Sequence, residues 1–153
     1  MNNIINFKNM DKKLLFIVII SIIATFNAGY LTYMAYTTVW VENAIYACDV
    51  NEIFSCSSVF NEKFAWIFGV PFSLIALFVY PIIVLVALLW LFKKIKSHYK
   101  IILLMSIWWV LFNSYIIYNE VLVATYCLLC LMCTVIIVIN WSLSIKWLRE
   151  KNN

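Results

Sequence analysis

Of the 153 residues, 66% are hydrophobic and 12% are charged, against the roughly 25% charged share of ordinary soluble domains. A water-soluble core has no room for so much apolar surface, and a chain with only two glycines and two prolines is neither a low-complexity linker nor a collagen-like repeat. The net charge of +4 comes from short basic clusters without interleaved stacking aromatics, which points to contact with anionic membrane lipid and not to a nucleic-acid partner.

In chain order, apolar runs cover Leu14–Tyr36, Trp66–Phe92, Ile101–Tyr118 and Val121–Ile145. Each is near the roughly 20 residues a helix needs to cross about 30 Å of hydrocarbon. A bilayer offers no water to satisfy backbone polar groups, so runs of this kind are helices despite their many Ile, Val and Phe residues. The expected fold is all-α: a single integral membrane four-helix bundle, with a loop of about Val41–Ala65 between the first and second helices. The first run follows lysines and contains Ala24, Ala28 and Gly29, features shared with secretory signals. It continues past Tyr33, however, beyond the roughly 7–15 apolar residues of a signal, and is read as an uncleaved helix.

Cationic residues near helix ends are retained on the cytoplasmic side. Lys8, Lys12 and Lys13 precede the first run, Lys93, Lys94, Lys96 and Lys100 separate the second from the third, and Lys146, Arg149 and Lys151 follow the fourth. The opposite side carries Lys63 with Glu42, Asp49, Glu52, Glu62 and Glu120. Both termini are therefore expected in the cytoplasm and the 41–65 loop outside it. Trp40 and Trp66 then fall at the outer interface and Trp90, Trp141 and Trp147 at the inner one, as aromatic belts do, while Trp108 and Trp109 lie within the third helix.

The five cysteines, Cys48, Cys56, Cys127, Cys130 and Cys133, all fall on the outer side or in the outer half of the membrane. Cys48 and Cys56 lie in the loop, where disulfides form and persist. A loop of about 25 residues is too small to build its own core, so a purely structural disulfide is one reading of that pair and a redox role is another. Cys127-Leu128-Leu129-Cys130 is a C-x-x-C at the outer end of the fourth helix, and residues three apart on a helix are neighbours. With Thr125 as cap, Cys127 lies in the first helical turn, where free N–H groups face its sulfur. With a start near Val121, it lies about 9 Å into the helix. In both cases the pair sits at the edge of the hydrocarbon, where a lipid-soluble quinone is available and a water-soluble substrate would need a pore.

Metal chemistry fits less well. Zinc sites usually join four ligands, often two C-x-x-C pairs, whereas the loop pair is C-x7-C and His98, the one histidine, lies on the other face. An iron–sulfur run from Cys127, Cys130 and Cys133 lacks a fourth cysteine. No metal site is expected, and Cys133, a further turn into the membrane, is expected to pack as a small apolar residue.

Taken together, Cys48-Asp49-Val50-Asn51, Ser55-Cys56-Ser57-Ser58-Val59-Phe60, Phe68-Gly69-Val70-Pro71 at the opening of the second helix and Tyr126-Cys127-Leu128-Leu129-Cys130 resemble the vitamin K epoxide reductase family, over nearly the whole chain. That resemblance implies a thiol:quinone oxidoreductase in which Cys127 and Cys130 are the active-site pair and Cys48 and Cys56 the shuttle pair. It implies a quinone acceptor (ubiquinone, menaquinone or phylloquinone) and a thioredoxin-like thiol oxidoreductase as electron donor. Phe60 matches an aromatic of the family's quinone pocket, Asn113 is an interhelical bond or a quinone contact, and Asp49 positions the shuttle cysteine or caps a short loop helix.

Many bacterial members carry a fused thioredoxin-like domain, for which these residues leave no room, so a separate partner is expected. Thr134 stands where animal enzymes have a tyrosine in the vitamin K pocket, which favours plain quinone reduction over epoxide reduction in the endoplasmic reticulum. The expected setting is a bacterial inner or plasma membrane, in support of disulfide formation. A reading of another class is a non-catalytic membrane subunit or small transporter with a structural loop disulfide, but no polar pathway through the helices supports transport.

Overall fold

The structure, a computed structural model, describes residues 12–41, 46–91 and 98–152. Lys8, Glu42, Lys93, Lys94 and Lys96 fall outside those residues, as do the side chains of Lys13, Trp90, His98, Trp147 and Lys151. The long helices are α1 (Lys12–Trp40), α3 (Phe72–Leu91), α4 (His98–Leu122) and α5 (Leu128–Asn152), and the short helix α2 (Cys56–Asn61) lies between the first two. A 3-10 turn (Lys63–Ala65) and a hairpin of β1 (Trp66–Ile67) with β2 (Val70–Pro71) complete that segment. By length and apolar composition, the four long helices can each cross a membrane, and the chain is an all-α membrane bundle.

The buried stripe of α1 reads Leu14, Ile17, Ser21, Ala24, Ala28, Leu31 and Ala35, alternating steps of three and four residues along one helical face. Its other face presents Phe16, Ile23, Phe26 and Tyr33 outward. Exposed apolar residues in such number are unfavourable in water and suit a lipid surround. Ala24 and Ala28, both fully buried, lie in one core cluster with Ala76, Tyr80 and Ile83 of α3. Small residues at such a contact let two helix backbones approach closely.

Polar side chains then set the register of α5 against each of its neighbours. Asn140 Nδ2 donates to Ser21 Oγ of α1 at 3.2 Å, and Asn27 Nδ2 donates to the Leu129 carbonyl at 2.8 Å. From α3, the Tyr80 hydroxyl donates to the Cys133 carbonyl at 3.0 Å. From α4, Asn113 Oδ1 accepts from the Thr134 hydroxyl at 3.1 Å, so Asn113 makes the interhelical bond. Lys12, Lys100, Lys146 and Arg149 are exposed at the helix ends remote from the described cysteines.

Several expected boundaries need correction. The second long helix starts at Phe72, not at Trp66, because Trp66 pairs with Pro71 and Ile67 with Val70. Phe68 and Gly69 at the tip have φ of 52° and 79°, the left-handed pair that a two-residue type I′ hairpin requires. The Phe68-Gly69-Val70-Pro71 motif is therefore a turn before the helix and not its opening. The third helix runs through Leu122, beyond Tyr118, and the fourth starts at Leu128, not at Val121. Between them the Thr125 N–H donates to the Glu120 carbonyl at 3.1 Å and the Ala124 N–H to the Val121 carbonyl at 3.2 Å. With Ala124 at φ 54°, this is a Schellman termination in which alanine occupies the position that usually falls to glycine.

An L-residue in that left-handed conformation costs roughly 1–2 kcal/mol, which glycine escapes. Ala124→Gly is therefore expected to stabilise the protein by up to about 1 kcal/mol, net of the extra freedom glycine has when unfolded. Ala124→Val is expected to destabilise it. Thermal unfolding in detergent checks both, as midpoints moving in opposite directions.

Candidate redox site

The segment before α2 is shaped by its short polar side chains. Asn51 Oδ1 accepts from the N–H groups of Ile53 at 3.0 Å and Phe54 at 2.7 Å, a turn built by the asparagine side chain itself. Ser55 caps α2, its hydroxyl accepting from the Ser58 N–H at 3.2 Å. Asp49 reaches the same helix start: its Oδ1 accepts from the Ser57 N–H at 3.0 Å and from the Ser55 hydroxyl at 3.0 Å. Its other oxygen accepts from the Tyr46 N–H at 3.0 Å. One carboxylate thus joins the residues just before Cys48 to those flanking Cys56.

Cys48 and Cys56 form a disulfide, with a Cα separation of 5.8 Å. Phe54 then bridges Tyr126 in parallel register. The Tyr126 N–H donates to the Ile53 carbonyl at 2.7 Å, and the Ser55 N–H donates to the Tyr126 carbonyl at 3.1 Å. Cys56 and Cys127 follow directly on these bonded residues, and the Cys127 thiol meets Cys56 Sγ at 3.2 Å.

Cys127 immediately precedes α5, and its carbonyl accepts the first helical bond, from Leu131 at 3.0 Å. Cys127 is thus itself the cap of the helix, and Thr125, one of the two starts considered, turns its hydroxyl back to the Val123 carbonyl at 3.4 Å. The Cys130 N–H donates to Cys127 Sγ at 3.3 Å, so a free N–H of the first turn is spent on the sulfur that faces Cys56.

All four of these cysteines share one buried apolar cluster with Leu31, Met34, Phe60 and Phe72. Phe60 is 1% exposed and stacks on Phe72 with ring centroids 5.4 Å apart. Asn113 lies deeper, held by the Thr134 hydroxyl, which also lies 3.0 Å from the Cys130 carbonyl, and donating to the Trp109 carbonyl at 2.9 Å. A lipid-side apolar cavity of about 400 Å³ opens between α3 and α4, lined by residues that include Val79, Leu104, Met105 and Trp109.

The sequence reading missed two residues here. Asn27 of α1 donates to Cys133 Sγ at 3.1 Å, so Cys133 has a polar partner as well as apolar neighbours. Glu120, placed in a loop by the expected boundaries, lies within α4 and is fully buried. A single carboxylate beside Asn119, set between two apolar runs, was the available signal for it.

The lipid-exposed helical bundle brings a disulfide and a thiol into contact at one end, the arrangement that a membrane oxidoreductase working through cysteines requires. The chain belongs to the Vitamin K epoxide reductase family, whose model matches residues 15–145. No curated protein matches it.

Asp49 offers a pH test of the loop. Partial burial pushes its carboxyl up, but the hydrogen bonds from Ser57, Tyr46 and Ser55 outweigh that and hold it below the ordinary 3.8. A depressed folded value means that its contribution is complete above 3.8 and is lost as the pH falls through the lower folded value. Asp49→Ala is expected to cost the loop about 1 kcal/mol, as other lost caps do. Hydrogen exchange at the Tyr46 and Ser57 amides checks both points: wild-type protection present near about pH 6 and weakened toward about pH 3, and protection absent throughout in the variant.

Proposed function

We propose that the protein is a thiol:quinone oxidoreductase that takes electrons from a separate thioredoxin-like protein at Cys48 and Cys56 and delivers them, through Cys127 and Cys130, to a lipid quinone. The observation that carries this reading is the 3.2 Å approach of the Cys127 thiol to Cys56 Sγ, which joins the two pairs into one relay. Thiol–disulfide exchange needs an attacking sulfur in contact with the sulfur it attacks and a leaving sulfur that tolerates negative charge. The Cys130 N–H aimed at Cys127 Sγ supplies a donor for such charge.

In the proposed cycle the partner's two thiols reduce the Cys48–Cys56 disulfide and leave as the partner's own disulfide. Cys56 then attacks Cys127 of a Cys127–Cys130 disulfide and displaces Cys130. Cys48 attacks Cys56 in turn, which re-forms the Cys48–Cys56 bond and frees Cys127. The pairing in the structure, Cys48 joined to Cys56 with Cys127 and Cys130 as thiols, corresponds to the end of that exchange. Two electrons and two protons then pass from Cys127 and Cys130 to the quinone, giving a hydroquinone and restoring their disulfide.

The remaining roles rest on position. Asp49 holds Cys48 and Cys56 in register through Tyr46, Ser55 and Ser57. Phe60 and Asn113 border the headgroup site, Phe60 from the cluster that contains Cys130 and Asn113 through Thr134 beside the Cys130 carbonyl. The basic residues at the far helix ends support cytoplasmic termini and an extracytoplasmic loop, and we place the protein in a bacterial plasma membrane, where it supports disulfide formation.

Quinone reduction by the purified protein in detergent, driven by a reduced thioredoxin-like donor, tests the proposal. Wild type is expected to turn over and Cys127→Ser and Cys130→Ser to lose at least about 10²-fold, since removing a covalent participant abolishes its path. Wild-type activity retained in Cys130→Ser would refute the relay. In Cys48→Ser/Cys130→Ser, Cys56 and Cys127 are left facing each other, and an added two-electron thiol oxidant such as diamide is expected to join them as a Cys56–Cys127 disulfide in peptide mass maps.

A further inference from the structure

Glu120 stands apart from every other charged residue described, because it is fully buried and neither carboxylate oxygen has a hydrogen-bond partner. Burying an unpartnered carboxyl costs several kcal/mol if it ionises, so the position is not explained by folding stability. A leucine or glutamine there would cost less.

Its surroundings supply a reason. The Schellman turn folds the chain back over Glu120, from whose backbone carbonyl the Thr125 N–H takes its bond, and brings the start of α5 beside the side chain. The Cys127 backbone N–H faces the carboxyl without completing a hydrogen bond. The Cys130 thiol, buried at 5% exposure, lies within electrostatic reach of the same carboxyl. The other titratable groups near this end are the Cys127 thiol, Asp49 and Tyr46 in the loop, Lys63, Glu52, Glu62 and Tyr118, all exposed, and Tyr126, whose ring lies against Phe54. The first two turns of α3 contain none.

We propose that Glu120 is the proton-transfer group for Cys130, an inference that rests on the redox reading of the Cys127–Cys130 pair. When Cys56 attacks Cys127, the Cys56–Cys127 bond forms and the Cys127–Cys130 bond breaks. The electron pair leaves on Cys130 Sγ. In water a leaving thiolate is stabilised by solvent, but at this buried position it is not. The Glu120 carboxylic acid gives its proton to that sulfur and becomes a carboxylate, so the negative charge moves to the carboxyl, beside the Cys127 N–H. In the reverse step the carboxylate takes the proton back from the Cys130 thiol as its sulfur attacks Cys127. No external oxidant or reductant enters either step, and the total charge in the pocket is unchanged by the transfer.

The test uses the full chain in detergent, with both disulfides first formed by oxidation. Dithiothreitol is added to open Cys127–Cys130 through Cys48 and Cys56, and the Cys130 thiol is followed by quenched alkylation and mass spectrometry across a range of pH. Glu120→Gln is expected to slow the appearance of that thiol on the order of 10- to 100-fold, as loss of a general acid does, and to flatten its pH profile. Glu120→Asp is expected to recover part of the rate with a displaced profile.

A Glu120→Gln protein with the wild-type rate and profile would overturn the proton role alone. If that variant fails to fold, the Glu120→Asp profile decides, and one coincident with wild type overturns the role. A wild-type protein in which a Cys127–Cys130 disulfide cannot be formed would overturn the redox reading and this proposal with it.

Discussion

The site depends on two backbone hydrogen bonds, from Tyr126 to Ile53 and from Ser55 to Tyr126. They tie a loop that has little core of its own to the strand of chain that enters α5. Because Cys56 and Cys127 each follow directly on the bonded residues, the register of this small ladder decides whether their sulfurs meet. A slip by one residue would turn the cysteine side chains to opposite faces, and no repacking of the helices could compensate. Asn51, Ser55 and Asp49 serve that register from the loop side, and the Schellman turn at Ala124 serves it from the helix side.

The helices supply depth and dryness. Cys56 and Cys127 are fully buried and Cys48 and Cys130 are 5% exposed, so the sulfurs lie together in an apolar cluster at one end of the bundle. In the proposed function, the lipid-soluble acceptor reaches that place from the side. Cross-helix bonds from Asn27, Tyr80 and Asn113 to α5 hold the helix carrying Cys130 from three directions. In hydrocarbon such bonds contribute about 1 kcal/mol each, and their larger effect is to select one register among apolar surfaces that would otherwise slide.

Hydropathy made the bundle legible, because a single segment of chain satisfies its own backbone in lipid only as a helix, and cysteine placement pointed to the candidate site, because both pairs fell at one end of the frame. What hydropathy could not resolve was where a helix ends when the turn is also apolar. Trp66, Ile67, Val70 and Val123 read as helix because no polar punctuation interrupts them, yet Gly69 and the left-handed Ala124 break the chain there. The misplaced boundary hid Glu120, which looked like a loop residue between two helices and is the most deeply buried carboxyl in the described chain. Asn27 escaped notice for a different reason: only the packing of α1 against α5 brings it to Cys133.

In the proposed relay, electrons cross from the loop pair to the helix pair through Cys56 and Cys127. Rapid-quench disulfide mapping of the oxidised protein after mixing with a reduced thioredoxin-like donor tests it most directly. The expected order is that Cys48–Cys56 opens first, that a transient Cys56–Cys127 linkage forms as Cys127–Cys130 opens, and that Cys48–Cys56 re-forms last. A Cys48–Cys56 disulfide that stays closed throughout while Cys127–Cys130 is reduced would contradict it and leave the loop disulfide a structural one.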